Sequence, residues 1–516
     1  MLRRACCLIL ALTLALGVWP ASPARASVTL EEERKIGREA YDEVMAQMPM
    51  VEDPDCVEYV RNLGRRLVGQ LRDNPFSYTF HIADSPEMNA FALPAGYIFM
   101  FRGMMTNLDS EAELAGILGH EISHVSYRHL ANRMDKTAPL NMAMMAGMLA
   151  GILLGAAGGA PQLGQALAVG SMAGGVQQYL AFSREDEEQA DYGGFKLMTG
   201  LGYPGQAMAV SFNRIWQQER MLGADVPTYL RSHPNSPQRM ERMNDLVRSL
   251  RNPPRPQDDS EFLRVKTRLI ALYESEQTAL TTFARLVKEH PGDPLPIYGL
   301  ALLETRRNRF EQAQEYLEVL KQRWPNNIHV KRLQAKVHLR RGEFAPARDL
   351  LESVLIGHPE DREALHSLGQ TYLHLDQAAQ ACRIYERLLA LDPRDDQARY
   401  DLGMAYGKRG QEARASLHLG LAFLERHNDR AARFHLNRAI TAPELRDDEL
   451  RQAEAGLARL DESDKRRAQR RLEEDQRRRE EDRRREEDRR RDDTTRRSDP
   501  RDPSGGARRP PWEWLR

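Results

Sequence analysis

The chain has 516 residues, more than one ordinary core accommodates, so two or three folded units are expected. Its 75 basic and 75 acidic residues cancel, which leaves no global field to draw nucleic acid and excludes that class of partner on charge. Four cysteines are too few for a disulfide framework.

The N-terminus reads as a targeting segment. Arg3 and Arg4 precede an apolar run from Ala5 to Val18, Pro20 and Pro23 break it, and Ala24-Arg25-Ala26 offers small residues for cleavage. The run is shorter than the roughly 20 apolar residues of a spanning helix, so residues 1–26 are expected to leave as a secretory signal peptide. Cys6 and Cys7 leave with it. Cys56 and Cys382 remain, either as one disulfide or as two separate thiols.

Residues 27–250 are helix-rich with one strand region, Asn89 to Phe101. If that strand is an exposed edge, its start at Asn89, Ala90 and Phe91 is placed to pair with an extended peptide; the other reading is a core strand.

Ser110 and Glu113 have capping-box spacing, and Leu114, Leu118, Ile122 and Val125 then recur at helical intervals. On this helix His120 and His124 stand one turn apart on one face, about 6 Å along the axis, so both rings can reach one ion. Glu121 lies beside them, placed to take a proton from an activated water. His-Glu-x-x-His is the pattern of zinc peptidases. His129 sits five residues past His124, about 140° around a continuing helix, and reads as structural. The extended form of the pattern, with a glycine and a third histidine soon after, fails because Tyr127 and Leu130 occupy those places.

A run without charge separates Lys136 from Arg184. Glycine and alanine crowd it, Pro161 interrupts it, and four glutamines mark its second half, which favours a lid over the site with peripheral membrane contact through 140–180. A membrane-spanning hairpin is the alternative. Beyond it, spacing narrows an acid-rich stretch to the face carrying Glu187, Ala190, Asp191 and Gly194, whose small residues permit close helix approach. Asp191 is placed to accept the second ring N–H of a ligand histidine. Glu185 and Glu188 read as exposed.

Arg251 to Pro256 is proline-rich and charged, giving a linker over 251–259. Past it Pro291, Pro325, Pro359 and Pro393 repeat every 34 residues, and Ala313, Ala347, Ala381 and Ala415 keep the same step. Small residues where two helices touch and proline after the second helix resemble the tetratricopeptide repeat. Residues 260–445 are therefore expected to form about four repeats and a capping helix, an α-solenoid whose concave face takes peptides or partner proteins. Residues 446–516, rich in blocks such as RRREED, read as a charged tail unable to bury a core, either a solvated helix laced with i,i+4 ion pairs or a disordered end.

The helix motif with the following VSYRH, the upstream Asn89-to-Gly96 segment, and Ser183-Arg184 leading to Glu187-x-x-Ala190-Asp191 resemble the zinc metallopeptidases of family M48. A signal peptide before and repeats after are similar to its periplasmic members. The resemblance implies a mainly α protein: a zincin-like α+β metallopeptidase domain followed by the repeat solenoid. It implies one Zn²⁺ per chain held by His120, His124 and Glu187, with Glu121 as general base. It also implies that His233, in Ser232-His233-Pro234, can take the fourth metal position and hold the enzyme inactive, and that Arg239 is a candidate oxyanion contact. The implied activity is endopeptidase cleavage of stalled or unfolded outer-membrane proteins together with help in their assembly, the repeats engaging the assembly machinery. The rival readings are a chaperone or scaffold with a closed metal site, and a membrane-embedded metalloprotease.

Overall fold

The computed structural model describes residues 28–136, 182–222, 229, 233, 237–250 and 257–465 apart from 394, 427 and 443, with a few positions between 468 and 483. The signal peptide at 1–26, the lid-or-membrane reading of 140–180 and most of the charged end lie outside the described residues. Among the described residues no helix is long and apolar enough to cross a membrane. The chain divides into two compact units, one ending at Ala398 and the other starting at Arg399.

The first unit opens with helices set by their caps. The Thr29–Glu32 capping box starts α1 (Leu30–Gln47), and Asp53, accepting from Cys56 N, with Pro54 at the first turn starts α2 (Pro54–Val68). Three strands follow: β1 (Thr79–Ala83), β2 (Ala90–Leu93) and β3 (Tyr97–Phe101). The order is β1-β3-β2, with β1 parallel and β2 antiparallel to β3. The single strand expected over Asn89–Phe101 is thus two, because Pro94–Gly96 forms a tight turn with Ala95 at φ 66° and Gly96 at φ 104°. A side chain on Gly96 would come within 2.8 Å of the Ser77 carbonyl, so glycine is required there.

After α3 (Arg102–Asn107) comes the motif helix α4 (Glu111–Ser126). Ser110 caps it by accepting from Glu113 N at 3.2 Å, and Leu114, Leu118 and Ile122 are fully buried. Then follow α5 (His129–Lys136), α6 (Arg184–Gly200, opened by a Ser183–Asp186 capping box), α7 (Gln206–Leu222) and α8 (Pro237–Ser249). α6 lies close along α4 because glycines face each other: a Cβ on Gly194 would sit 2.7 Å from His120 N.

The repeats are helix pairs: α9 (Ser260–Tyr273) with α10 (Glu276–Glu289), α11 (Leu295–Arg306) with α12 (Phe310–Arg323), α13 (Ile328–Arg340) with α14 (Phe344–Gly357), and α15 (Arg362–His374) with α16 (Ala378–Leu391). Pro291, Pro325, Pro359 and Pro393 each fall just past a second helix, and Ala279, Ala313, Ala347 and Ala381 are fully buried. α9 is not set apart by the linker. Its Phe262, Val265 and Leu269 share one core with Tyr59, Val60 and Ile117, so the expected boundary at 259–260 is no physical division.

Buried arginines of these pairs are engaged by α2 of the same chain. Arg268 of α9, 2% exposed, chelates Asp53 at the start of α2 (Nε–Oδ1 2.9 Å, NH2–Oδ2 2.5 Å), while its NH1 donates to Tyr298 OH at 2.8 Å. Asp55 is gripped by Arg264 and by Arg332 at 2.6 Å, and Arg332 also holds Asp361 at 2.9 Å. Cys56 and Cys382 are buried separately as free thiols.

The second unit holds most of α17 (Asp396–Lys408), then α18 (Glu412–Glu425) and α19 (Asp429–Ile440). The expected tail from 446 begins as a helix over 447–465, and this helix is not wholly solvated. Its Ala453 and Leu460 are buried with Leu417, Leu424 and Leu436. Apolar residues at helical spacing inside the charge blocks supply that core face, which composition alone averaged away. With the pair α17–α18 there are five helix pairs before α19 among the described residues, one more than the period suggested.

Candidate metal centre

Two helices and two short approaches build the site. α4 presents His120, Glu121 and His124; α6 presents Glu187 and Asp191; His233 enters from the segment before α8, and Arg239 from the first turn of α8. All seven side chains are almost wholly buried. Each of His120, His124, Glu187 and His233 offers one ligand atom, and the four atoms lie within 4.8 Å of one another. His120 Nε2 stands 3.0 Å from His124 Nε2 and 3.2 Å from His233 Nδ1, and Glu187 Oε1 is 2.8 Å from His233 Nδ1.

The outer nitrogen of each α4 histidine has a close neighbour. His120 Nδ1 is 3.0 Å from Asp191 Oδ1. His124 Nδ1 is 3.0 Å from His129 Nδ1. With the Nδ1 positions protonated toward those partners, the two Nε2 lone pairs face each other across 3.0 Å, a repulsion that a cation relieves. Imidazoles plus one carboxylate suit zinc, so the residues present fit the ion that the motif implies. Burial first, then the neighbouring His120 and His233, drives the His124 pKa far down and keeps its ring a neutral donor.

Arg239 does not face an open oxyanion position. Its Nε and NH2 donate to Asp191 at 2.8 and 2.7 Å, and NH1 pairs with Glu187 at 2.6 Å. The guanidinium therefore orients the two carboxylates of α6, with the Phe212 ring 4.8 Å from its centre. Burial opposes ionisation of Asp191, but Arg239 and the His120 contact outweigh it and bring its pKa to about 2. Burial likewise opposes ionisation of Glu187, and His233 and Arg239 hold it below the usual carboxylate range.

Glu121 is 1% exposed, and its Oε1 lies 3.7 Å from His233 Nε2. His233 is stacked between Tyr229 and Phe182, with ring centroids at 4.6 and 5.1 Å. Neither aromatic carried any signal in sequence.

The edge residues are divided by the ladder. Phe101 N donates to Asn89 O at 3.0 Å, and Phe91 stands opposite Phe99, so the backbones of Asn89 and Phe91 face β3. The alternation directs Ala90 and Ala92 outward, and the Asn89 side chain accepts from Ala90 N at 2.9 Å. An incoming strand would meet Ala92 and the Ala90 carbonyl. β2 itself packs beside α4.

Residues 58–247 match the family model described as "Peptidase family M48". Residues 275–337 and 332–396 match two models described as "Tetratricopeptide repeat". Among curated relatives, the chain is 28% identical over 320 residues to "Beta-barrel assembly-enhancing protease" of Yersinia pestis, covering 61% of this chain and 65% of the relative. It is 31% identical over 309 residues to the "Putative beta-barrel assembly-enhancing protease" of Vibrio cholerae serotype O1, covering 59% of this chain and 63% of the relative. It is 28% identical over 224 residues to "Mitochondrial metalloendopeptidase OMA1" of Schizosaccharomyces pombe, covering 43% of this chain and 62% of the relative. The chain thus spans less than two thirds of the length of each of these relatives.

Proposed function

We propose, from the premise that the chain carries a peptidase family M48 domain followed by tetratricopeptide repeats, that it is a zinc endopeptidase of the periplasm. Its substrates are unfolded or stalled outer-membrane proteins, which it degrades or helps to mature. The observation that carries the reading is the convergence of four buried ligand atoms within 4.8 Å, with the Glu121 carboxylate beside them. A structural metal site has no use for that carboxylate. The names of the Yersinia and Vibrio relatives support the substrate class, and the repeats supply the kind of surface that engages an assembly machine.

His120, His124 and Glu187 would hold the ion. A zinc bound there supplies Lewis-acid polarisation of a scissile carbonyl and of the attacking water. Glu121 takes the proton of that water and returns it to the leaving amine. The outward backbone groups at Ala90 and Ala92 hold an extended substrate by strand addition, which suits cleavage of unfolded chains with little side-chain selection. Asp191 and Arg239 keep His120 and Glu187 oriented.

The test is Glu121→Gln, which preserves size and removes the base. Casein digestion is expected to fall by about 100-fold or more with zinc content unchanged. Digestion at the wild-type rate would defeat the assignment. A second reading, a chaperone or scaffold with a closed metal site, is favoured by His233, whose Nδ1 lies 3.2 Å from His120 Nε2 in the place of a fourth ligand. Under that reading zinc stays bound, casein is not cut, and Glu121→Gln leaves assembly activity untouched.

A further inference from the structure

The helix that carries the two ligand histidines does not continue to His129. α4 ends at Ser126, and Arg128 then adopts φ 55°, a left-handed conformation costly for any residue but glycine. The turn is pinned: Arg128 Nε donates to the buried Glu33 at 2.6 Å, and NH2 donates to Val28 O at 2.7 Å. Its result is to fold His129 back onto the ring of His124, where a continuing helix would have carried it about 140° away. The His129 side chain is 2% exposed, its Nδ1 is 3.0 Å from His124 Nδ1, and its Nε2 is 3.1 Å from Gln189 Oε1.

The contacts fix the protons. For His124 to offer Nε2 to a metal, its Nδ1 must carry hydrogen and donate. His129 Nδ1 must then be the acceptor, so the hydrogen of a neutral His129 sits on Nε2. That hydrogen has an acceptor in the Gln189 amide oxygen. Every donor in the line meets a lone pair, and only one pair of tautomers satisfies it.

We infer that His129, set by Gln189, is the positioning residue that holds His124 in the metal-binding tautomer and orientation, as Asp191 does for His120. The inference rests on the metal-centre reading above. It gives the two ligands unlike supports: a carboxylate, which draws the His120 proton strongly, and a neutral imidazole, which fixes geometry while adding no charge beside the ion.

The test uses the full chain and Zn²⁺ alone, with affinity read by competition against a chromophoric chelator. His129→Leu is expected to weaken zinc binding about 10- to 100-fold. His129→Asn, whose amide oxygen can still accept from Nδ1, should recover to within about threefold of wild type, as a direct acceptor requires. Gln189 is exposed, so Gln189→Met tests the relay without touching the core and should weaken binding by about tenfold. The thermal midpoint of the zinc-free protein should be unchanged by Gln189→Met, which a merely structural role would not produce alongside lost affinity. Equal zinc affinity in wild type, His129→Leu and Gln189→Met would overturn the inference. Failure of the wild type itself to bind zinc would overturn the metal-centre reading beneath it.

Discussion

Arg268→Ala should destabilise the first unit more than any surface change. The side chain is 2% exposed and makes two bonds to Asp53, one to Tyr298 and one to Glu363. Removing it strands the Asp53 carboxylate, itself 5% exposed, whereas Glu363 keeps Arg332 at 3.3 Å. Breaking a buried pair costs about 3–5 kcal/mol. Asp53 still accepts from Cys56 N at 3.2 Å, so the lower end, about 3 kcal/mol, is expected in urea unfolding followed by far-ultraviolet circular dichroism. Adding Asp53→Asn removes the stranded charge and should recover part of the loss. The penalty should also depend on pH. Burial opposes ionisation of Asp53 and Asp55, but Arg268 near both, with Arg332 and Arg264 beside Asp55, holds their carboxyls below the ordinary range. Depressed native values mean stabilisation that is full above about pH 4 and fades as the pH falls toward the native pKa. The gap between wild type and Arg268→Ala should therefore narrow in acid. A loss below about 1 kcal/mol at neutral pH would show that the cluster is neutral in net energy and refute the reasoning.

Gly194→Ala forces a methyl to within 2.7 Å of His120 N, so α6 must move away from α4; zinc affinity should drop at least tenfold by chelator competition, as expected when support of a ligand fails, on the order of the 10–100-fold range. His233→Ala opens the fourth ligand place and should raise casein digestion with zinc retained; unchanged or lower activity would defeat the gating idea. Ala92→Pro removes an outward N–H on β2 and should raise KM for an unfolded substrate more than it lowers kcat, provided thermal stability holds.

How far the sequence reached follows from the range of its signals. The Ser110 half of the cap, the core face at Leu114, Leu118 and Ile122, and the close approach at Gly194 are local signals and appear in the structure, whereas the Glu113 carboxylate accepts from Asp109 N and does not complete a capping box. So does the 34-residue step, since each proline and each small residue answers to contacts within one repeat. His129 stays outside the ligand group, as read, but its angle was projected along a helix that ends three residues earlier, so its contact with His124 was missed; the only trace was an arginine, with no glycine to announce a left-handed turn. Arg239 was read for what it could offer a substrate. Its partners Asp191 and Glu187 lie about fifty positions upstream, and no period connects them.

The same limit hid the join between the first domain and the repeats. Asp53 looks like an ordinary N-cap and Asp55 like an ordinary first-turn acid, and Arg264, Arg268 and Arg332 look like solvated arginines of repeat helices. Together they tie α9 and α13 of the repeats to α2 of the same chain. A partner that binds these pairs without displacing α2 must use their outer surfaces or edges. One that competes for the arginines must bring carboxylates of its own and separate α2 from a cluster whose rupture costs about 3 kcal/mol per stranded charge. Binding of the second kind would loosen α2, and α2 packs against both β1 and α4, the helix of His120 and His124.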